Sequence, residues 1–261
     1  MVAIPQGVEL HFHALHGLDD GPVTLAESVD LVRRAAADGT GTVIATPHVR
    51  TDFVTDVLDL GERTAELQAA LDAERIPVSL RPGAELGHEM VDRLSQAELE
   101  LVAQGPPDAR WLLVETPFEG IGQDFHTATG ELRERGFDVL VAHPERSADA
   151  VLDGAAGLRR ELAAGSRAQV NAQSITGEHG PEVRAAAFAL IGEGLVGAVS
   201  SDAHGATTRP PLLGEARARL LDRGLGRALA ADLTAGGPRR LLARGIPAVG
   251  VGGHLRGALV A

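Results

Sequence analysis

Seven short β-prone runs alternate with helical stretches along most of this chain, and six of them end on a histidine or a carboxylate. Such alternation is how parallel βαβ units look in sequence. The runs lie near 8–13, 41–47, 78–84, 111–116, 138–143, 168–171 and 196–201. Helices fall between them near 24–38, 54–74, 89–103, 124–135, 149–164 and 181–193, and more follow near 211–223, 226–232 and 236–243. The first helix is the best signalled: Thr24 and Glu27 suit a capping box, Leu25, Val29, Val32 and Ala36 form a stripe, and Gly39 suits the stop. An α/β barrel of about 250 residues matches this length as one domain. Seven strands instead of eight predict a distorted, TIM-like (β/α)7 barrel.

No linker or low-complexity tract divides the chain, and no period of roughly 20–50 residues suggests a solenoid. Residues 1–247 therefore read as one domain and 248–261 as a C-terminal tail. The tail segment AVGVGGHLRG is glycine-rich, but no helix follows to aim its N-terminus at a phosphate, and His254 there is read as solvent-exposed.

In parallel barrels the active site lies at the C-terminal edge of the strands. The polar run ends sit at that edge: His11 and His13 in ELHFHALHGLDDGP, His48 in ATPH, Glu85 in GAE, Glu115 in LLVE, His143 in AHPER, and Asp202 and His204 in SSDAH. In a strand, residues i and i+2 share a face, so His11 and His13 can grip one ion. One such pair means little; six ends converging on one edge predict a multinuclear metal site. Either Asp19 or Asp20 could face it, although DDG is also a common turn. His16, His88, His126, His179 and His254 are read as ordinary hydrogen-bonded loop residues.

Composition narrows the chemistry. There is no cysteine, hence no disulfide, thiolate zinc site or thiol nucleophile, and any metal must take N and O ligands. Aromatics are only 3%, so the core must be built from Ala, Val, Leu and Ile around the lone Trp111. A net charge of −12 argues against a nucleic-acid backbone as main partner, since that binding rests on basic patches. The N-terminus lacks a basic, then apolar, leader pattern and no segment approaches about 18 uninterrupted apolar residues, so no membrane insertion and a cytoplasmic location are expected.

The motifs HFH…LDDGP, ATPH, GAE, LVE, AHPER, QVNA and SSDAH resemble the PHP (polymerase and histidinol phosphatase) superfamily. They look most like its bacterial CpsB/CapC/YwqE-like branch, manganese-dependent protein-tyrosine phosphatases of capsule and exopolysaccharide systems. The resemblance covers about residues 8–247; HGLDDGP with AHPER is its discriminating combination. It implies three divalent ions, manganese foremost with Fe, Zn, Co or Mg as alternatives. His11, His13, Glu85 and Asp202 would hold the first; Glu85 would bridge to the second, completed by Glu115 and His143; Asp20, His48 and His204 would hold the third. Arg146 and Arg209 resemble the family's phosphate-binding arginines, and His204 is a candidate proton donor. The implied substrate is phosphotyrosine in a protein tail, plausibly that of a bacterial tyrosine kinase.

Two positions depart from the family pattern. Glu9 stands where the family commonly has Asp, and is expected to act behind the ligands. Arg50 follows Val49 where relatives often have His or Arg, and could meet substrate or be solvated. A phosphoesterase acting on a small ester such as histidinol phosphate, and a non-catalytic metal-binding scaffold, are the rival readings.

Overall fold

The computed structural model describes residues 6–152 and 154–247; His254 and the tail at 248–261 lie outside them. The strands are β1 (Gly7–Glu9), β2 (Thr40–Ala45), β3 (His48–Val49), β4 (Ser79–Pro82), β5 (Glu85–Leu86), β6 (Trp111–Glu115), β7 (Asp138–Ala142), β8 (Arg167–Asn171) and β9 (Val196–Ser200). All their ladders are parallel, in the orders β1-β2-β4 and β3-β5-β6-β7-β8-β9. This is the expected α/β architecture, a distorted barrel with seven strand positions. No helix among the described residues is long and apolar enough to cross a membrane.

The distortion has local causes. The run at 41–47 breaks at Pro47, which has no N–H to give a ladder. The run at 78–84 breaks at Gly83, where a Cβ would lie 2.6 Å from Ile44 Cγ2, so only glycine permits that approach. Across the breaks the Thr46 amide donates to the Phe12 carbonyl (2.9 Å), and the Glu85 amide to that of Pro47 (3.0 Å). The run at 8–13 leaves its ladder at Glu9, four residues early, because side-chain hydroxyls replace strand partners. Leu10 N donates to Ser200 Oγ (2.9 Å) and Phe12 N to Thr46 Oγ1 (2.8 Å). Among the described residues no continuous ladder joins β9 to β1. A lone bridge of Phe12 to Ala203 and the bonds Asp202 N to His11 O and His13 N to Ala203 O (3.0 Å each) link them instead.

Helices follow the predicted places with altered ends. The first spans Leu25–Ala37 and carries the capping box, with Thr24 and Glu27 each accepting from the other's backbone. The stretch at 54–74 becomes helical only at Leu60. That at 89–103 splits into a 3-10 turn, His88–Met90, and a helix Gln96–Val102 restarted by a second capping box at Ser95. That at 149–164 splits into Ala148–Leu152 and Ala156–Ala163. A short helix, Ala172–Thr176, follows β8 directly where the sequence patterning signalled none.

Strand alternation gives the sheets two apolar faces. Trp111 and Leu113 join Val8, Leu10, Ile44, Leu140, Ala142 and Ala198 on one face, against Leu241 and Ile246; Trp111 Nε1 donates to Leu241 O (3.0 Å). Leu112 and Val114 face the other way, toward the helices. By the same period-2 rule Glu115 projects on the Trp111–Leu113 face, placing a carboxylate above an apolar plug.

Between two helices, buried Glu161 accepts from His126, Thr129 Oγ1, Arg133 and Ser166 Oγ. Burial pushes this carboxyl up, but His126, Arg133 and Thr129 together outweigh it and hold it below its ordinary 4.5. A group depressed in this way stabilises the fold above its unfolded pKa and loses that contribution as pH falls through the folded value. Glu161→Gln should therefore cost about 3 kcal/mol at neutral pH. It should also flatten the loss of stability below about pH 4.5, as read by urea unfolding across pH.

Candidate metal centre

The strand breaks and early exits deliver polar side chains to one end of the barrel. His11 and His13 follow β1, His48 opens β3, Glu85 opens β5, Glu115 closes β6, His143 follows β7, and Asp202 and His204 follow β9. All eight are buried; Asp20, on the loop after β1, is about half exposed. Glu85 is central. Its Oε2 lies 3.1 Å from His11 Nε2, 3.4 Å from His13 Nε2 and 2.9 Å from His48 Nδ1, and its Oε1 lies 2.9 Å from His143 Nε2. Asp202 Oδ1 stands 3.3 Å from both His11 Nε2 and His13 Nε2. His204 Nε2 lies 3.1 Å and His48 Nε2 3.6 Å from Asp20 Oδ1.

Three groups have ligand atoms close enough to share an ion: His11, His13, Glu85 and Asp202; His13, Asp20, His48 and His204; and His48, Glu85 and Glu115. The first consists of the four residues expected to hold one ion. In the third, His48 stands beside Glu85 and Glu115, while His143 Nε2 meets the other Glu85 oxygen. His48 presents one ring nitrogen to each of the last two groups.

Several buried atoms in this cluster have no hydrogen-bond partner: His48 Nδ1, His143 Nδ1, Glu85 Oε2, Asp202 Oδ1 and His204 Nε2. Buried polar atoms are normally satisfied, and converging lone pairs are costly without a cation between them. The N/O donor set therefore fits divalent metal. Crowding also shows in the protonation equilibria. Burial and the Glu85 charge push Glu115 up to about 7, and burial and the His13 charge bring His204 down to about 4. Burial would push Glu85 up too, but His11 and His48 hold it well below the carboxylate range.

Other side chains aim these groups. His11 Nδ1 bonds Gln169 Oε1 (3.0 Å), His13 Nδ1 bonds Asp19 Oδ2 (2.7 Å), and His204 Nδ1 bonds the Asp202 carbonyl (2.9 Å), so each ring turns Nε2 inward. Asp202 Oδ2 accepts from Asn171 Nδ2 (2.7 Å), Arg146 Nη1 (3.1 Å) and Arg209 Nη2 (3.1 Å), leaving Oδ1 to the histidines. His143, Asp202 and Arg209 adopt left-handed backbone at φ 34°, 53° and 56°, which non-glycine residues rarely occupy and which concentrates at functional sites. Buried Glu145 braces the turn carrying His143 and Arg146 by accepting from Asn171 N (2.8 Å) and Ser174 Oγ (2.6 Å).

The family described as capsular polysaccharide synthesis, CpsB/CapC, matches residues 7–243. The chain belongs to that family. The tyrosine-protein phosphatase YwqE of Bacillus subtilis is 28% identical over 203 residues, 77% of this chain and 79% of its own. The tyrosine-protein phosphatase CpsB of Streptococcus pneumoniae is 24% identical over 243 residues, 90% of this chain and 98% of its own. A crystal structure from work on these two proteins, described as unique metal-dependent tyrosine phosphatases, aligns with a TM-score of 0.79 at 26% identity, covering 92% of this chain and 96% of that one.

Within this CpsB/CapC member the two neighbouring aspartates divide their labour. Asp19 faces inward to His13 and also accepts from His48 N (2.9 Å) and Gly21 N (3.0 Å), whereas Asp20 lies at the rim beside His204 and His48. Arg50 is ion-paired while still partly open to solvent: Nη1 pairs with both Glu115 oxygens (3.1 and 2.9 Å) and Nε with Asp52. Glu9 lies behind the ligands, accepting from Ser201 N (2.7 Å), and burial pushes it up to about 8. His126 and His179 are hydrogen-bonded away from the cluster, to Glu161 and Ser174. Sequence reasoning gave no role to Gln169, Asn171, Glu145 or Ser174. The signal for the first two was present: Gln169 and Asn171 are polar at i and i+2 on an otherwise apolar strand.

Asp19→Ala should lower the unfolding free energy of the metal-free protein by about 3 kcal/mol, since it strips three donors of a charged acceptor. Asp20→Ala should change it by less than about 1 kcal/mol, as expected for an exposed pair. Parallel urea denaturation of the two variants checks the division.

Proposed function

We propose that residues 1–247 form one metal-dependent phosphomonoester hydrolase domain acting in the cytoplasm on phosphotyrosine in exposed protein tails, in a capsule or exopolysaccharide tyrosine-kinase system. The observation that carries this reading is the buried convergence of His11, His13, His48, Glu85, Glu115, Asp202 and His204, with unpartnered donor atoms aimed at one another. Membership of a family containing named tyrosine phosphatases supplies the substrate class.

In this reading His11, His13, Glu85 and Asp202 hold one manganese ion. Glu85 would also serve a second, together with Glu115 and His143, and His48 Nδ1 lies within reach. Asp20, His48 and His204 hold a third. When bound, such ions supply charge for the phosphoryl oxygens and lower the pKa of water toward neutrality. Arg146 and Arg209 flank Asp202 with guanidinium donors that suit phosphate oxygens, and both are partly open to solvent. Four ligand carboxylates against three divalent ions leave two positive charges, which favours a phosphate dianion.

The leaving group fits the site's proton inventory. His204, the candidate proton donor, is also a ligand candidate beside Asp20, so no side chain is dedicated to protonating the leaving group. A tyrosyl leaving group has a pKa of about 10 and needs less proton assistance than an alkyl alcohol. The chain contains no tyrosine, so the phosphoprotein must be another molecule, plausibly a tyrosine kinase tail.

The test compares kcat/KM of the manganese-loaded protein for phosphotyrosyl and phosphoseryl forms of one peptide and for histidinol phosphate. The phosphotyrosyl peptide should lead by at least about tenfold, a difference of about 1.4 kcal/mol in transition-state stabilisation. A clear lead for histidinol phosphate would transfer the assignment to small esters; no turnover of any of them would leave a metal-binding scaffold.

A further inference from the structure

The chain has only seven Phe and Trp residues, and most of them are hidden. Trp111, Phe12, Phe125 and Phe137 are buried and Phe188 is partly buried. The two exposed rings are Phe53 at 39% and Phe118 at 53%, and both touch the metal-centre mouth. Phe53 lies five residues after His48 and stacks on its imidazole, with centroids 5.2 Å apart and planes 14° from parallel. Phe118 lies three residues after Glu115, under the Arg146 guanidinium at 5.1 Å. Polar contacts connect the two rings to one floor. Arg50, 5.9 Å from the Phe53 ring, binds Glu115, while Arg146 binds Asp202.

An exposed phenylalanine contributes little to a core, and a chain so poor in aromatics had other side chains available for cover. Each ring has one side on a site residue and remaining area open to solvent. In a phosphate ester held at Arg146, the organic group would begin one oxygen away from phosphorus, and Phe118 packs against that guanidinium. A phenyl ring there meets an aromatic face; the short alkyl arm of a phosphoserine does not. Offset or edge-to-face aromatic contact adds to ordinary apolar burial.

We infer that Phe53 and Phe118 are specificity-determining residues that select aryl over alkyl phosphate esters by contacting the substrate's phenyl ring. This rests on the phosphatase reading above and adds to it the surface that recognises the aryl group. The metal ions and arginines recognise phosphate in any ester, so selection must come from groups placed next to the ester oxygen, and these are the aromatic groups exposed there among the described residues. Phe118 holds Arg146 as well, so its loss weakens phosphate binding in general; aryl preference is the quantity that isolates the ring contact.

The experiment measures binding of phenylphosphonate and methylphosphonate, which cannot be hydrolysed, to the manganese-loaded full chain by calorimetry. Wild type, Phe53→Ala, Phe118→Ala and the corresponding leucine variants are compared, with phosphotyrosyl-peptide turnover by the wild type as a separate arm. Wild type should prefer phenylphosphonate by about tenfold, and each alanine variant should lose about fivefold of that preference. The leucine variants, which keep apolar area without the ring, should recover only part of it. A wild-type preference below about twofold, or one within about twofold of wild type in either alanine variant, overturns the inference. Turnover with unchanged preference sinks the aryl contact alone; absence of turnover sinks the phosphatase reading on which it rests.

Discussion

Everything at the mouth of this barrel depends on the cost of burying Glu85 and Asp202 where one oxygen of each lacks a hydrogen-bond donor. Asp202 shows how that cost is managed on one side. Its Oδ2 takes three donors, from Asn171, Arg146 and Arg209, while Oδ1 is left facing two imidazole nitrogens. Glu85 has no such backing and is surrounded by His11, His13, His48 and His143. A fold that leaves buried lone pairs converging this way gains stability when something cationic shares them, so metal binding is expected to raise stability.

The backbone irregularities serve that arrangement. Pro47 and Gly83 stop two ladders one or two residues before His48 and Glu85, which re-aims both side chains into the mouth. Leaving the β1 ladder at Glu9 lets His11 and His13 hydrogen-bond to the segment that carries Asp202 and His204. Left-handed backbone at His143 and Asp202 turns each side chain away from its strand direction. Interrupted pairing and the left-handed residues His143, Asp202 and Arg209 thus meet at one edge, while Trp111 and its neighbours fill the other end with apolar side chains.

Much of this was legible in the sequence because it follows from period and position. Run-and-helix alternation gave the parallel α/β architecture, and polar run ends gave the edge at which the site lies. Thr24 and Glu27 announced their capping box by spacing alone. What was not legible depended on long-range geometry. Nothing local tells Asp19 from Asp20; the difference lies in Asp19 meeting His13 and the His48 amide. The pairing of Arg50 with Glu115 links residues 65 apart in sequence. The helix at Ala172–Thr176 is too short for a periodic pattern, and the approach of His48 to Glu85 and Glu115 is a matter of ångströms.

The central claim is that the converging imidazoles and carboxylates form one multinuclear metal centre joined through Glu85. Elemental analysis of protein reconstituted with manganese and freed of excess ion tests it most directly, with Glu85→Ala alongside. The account predicts three equivalents in the wild type, one for each ion of the proposed centre. It predicts loss of more than one equivalent in Glu85→Ala, because a bridging carboxylate supports two ions. A wild-type protein that retains no metal, or a Glu85→Ala variant that retains as much as the wild type, would contradict it.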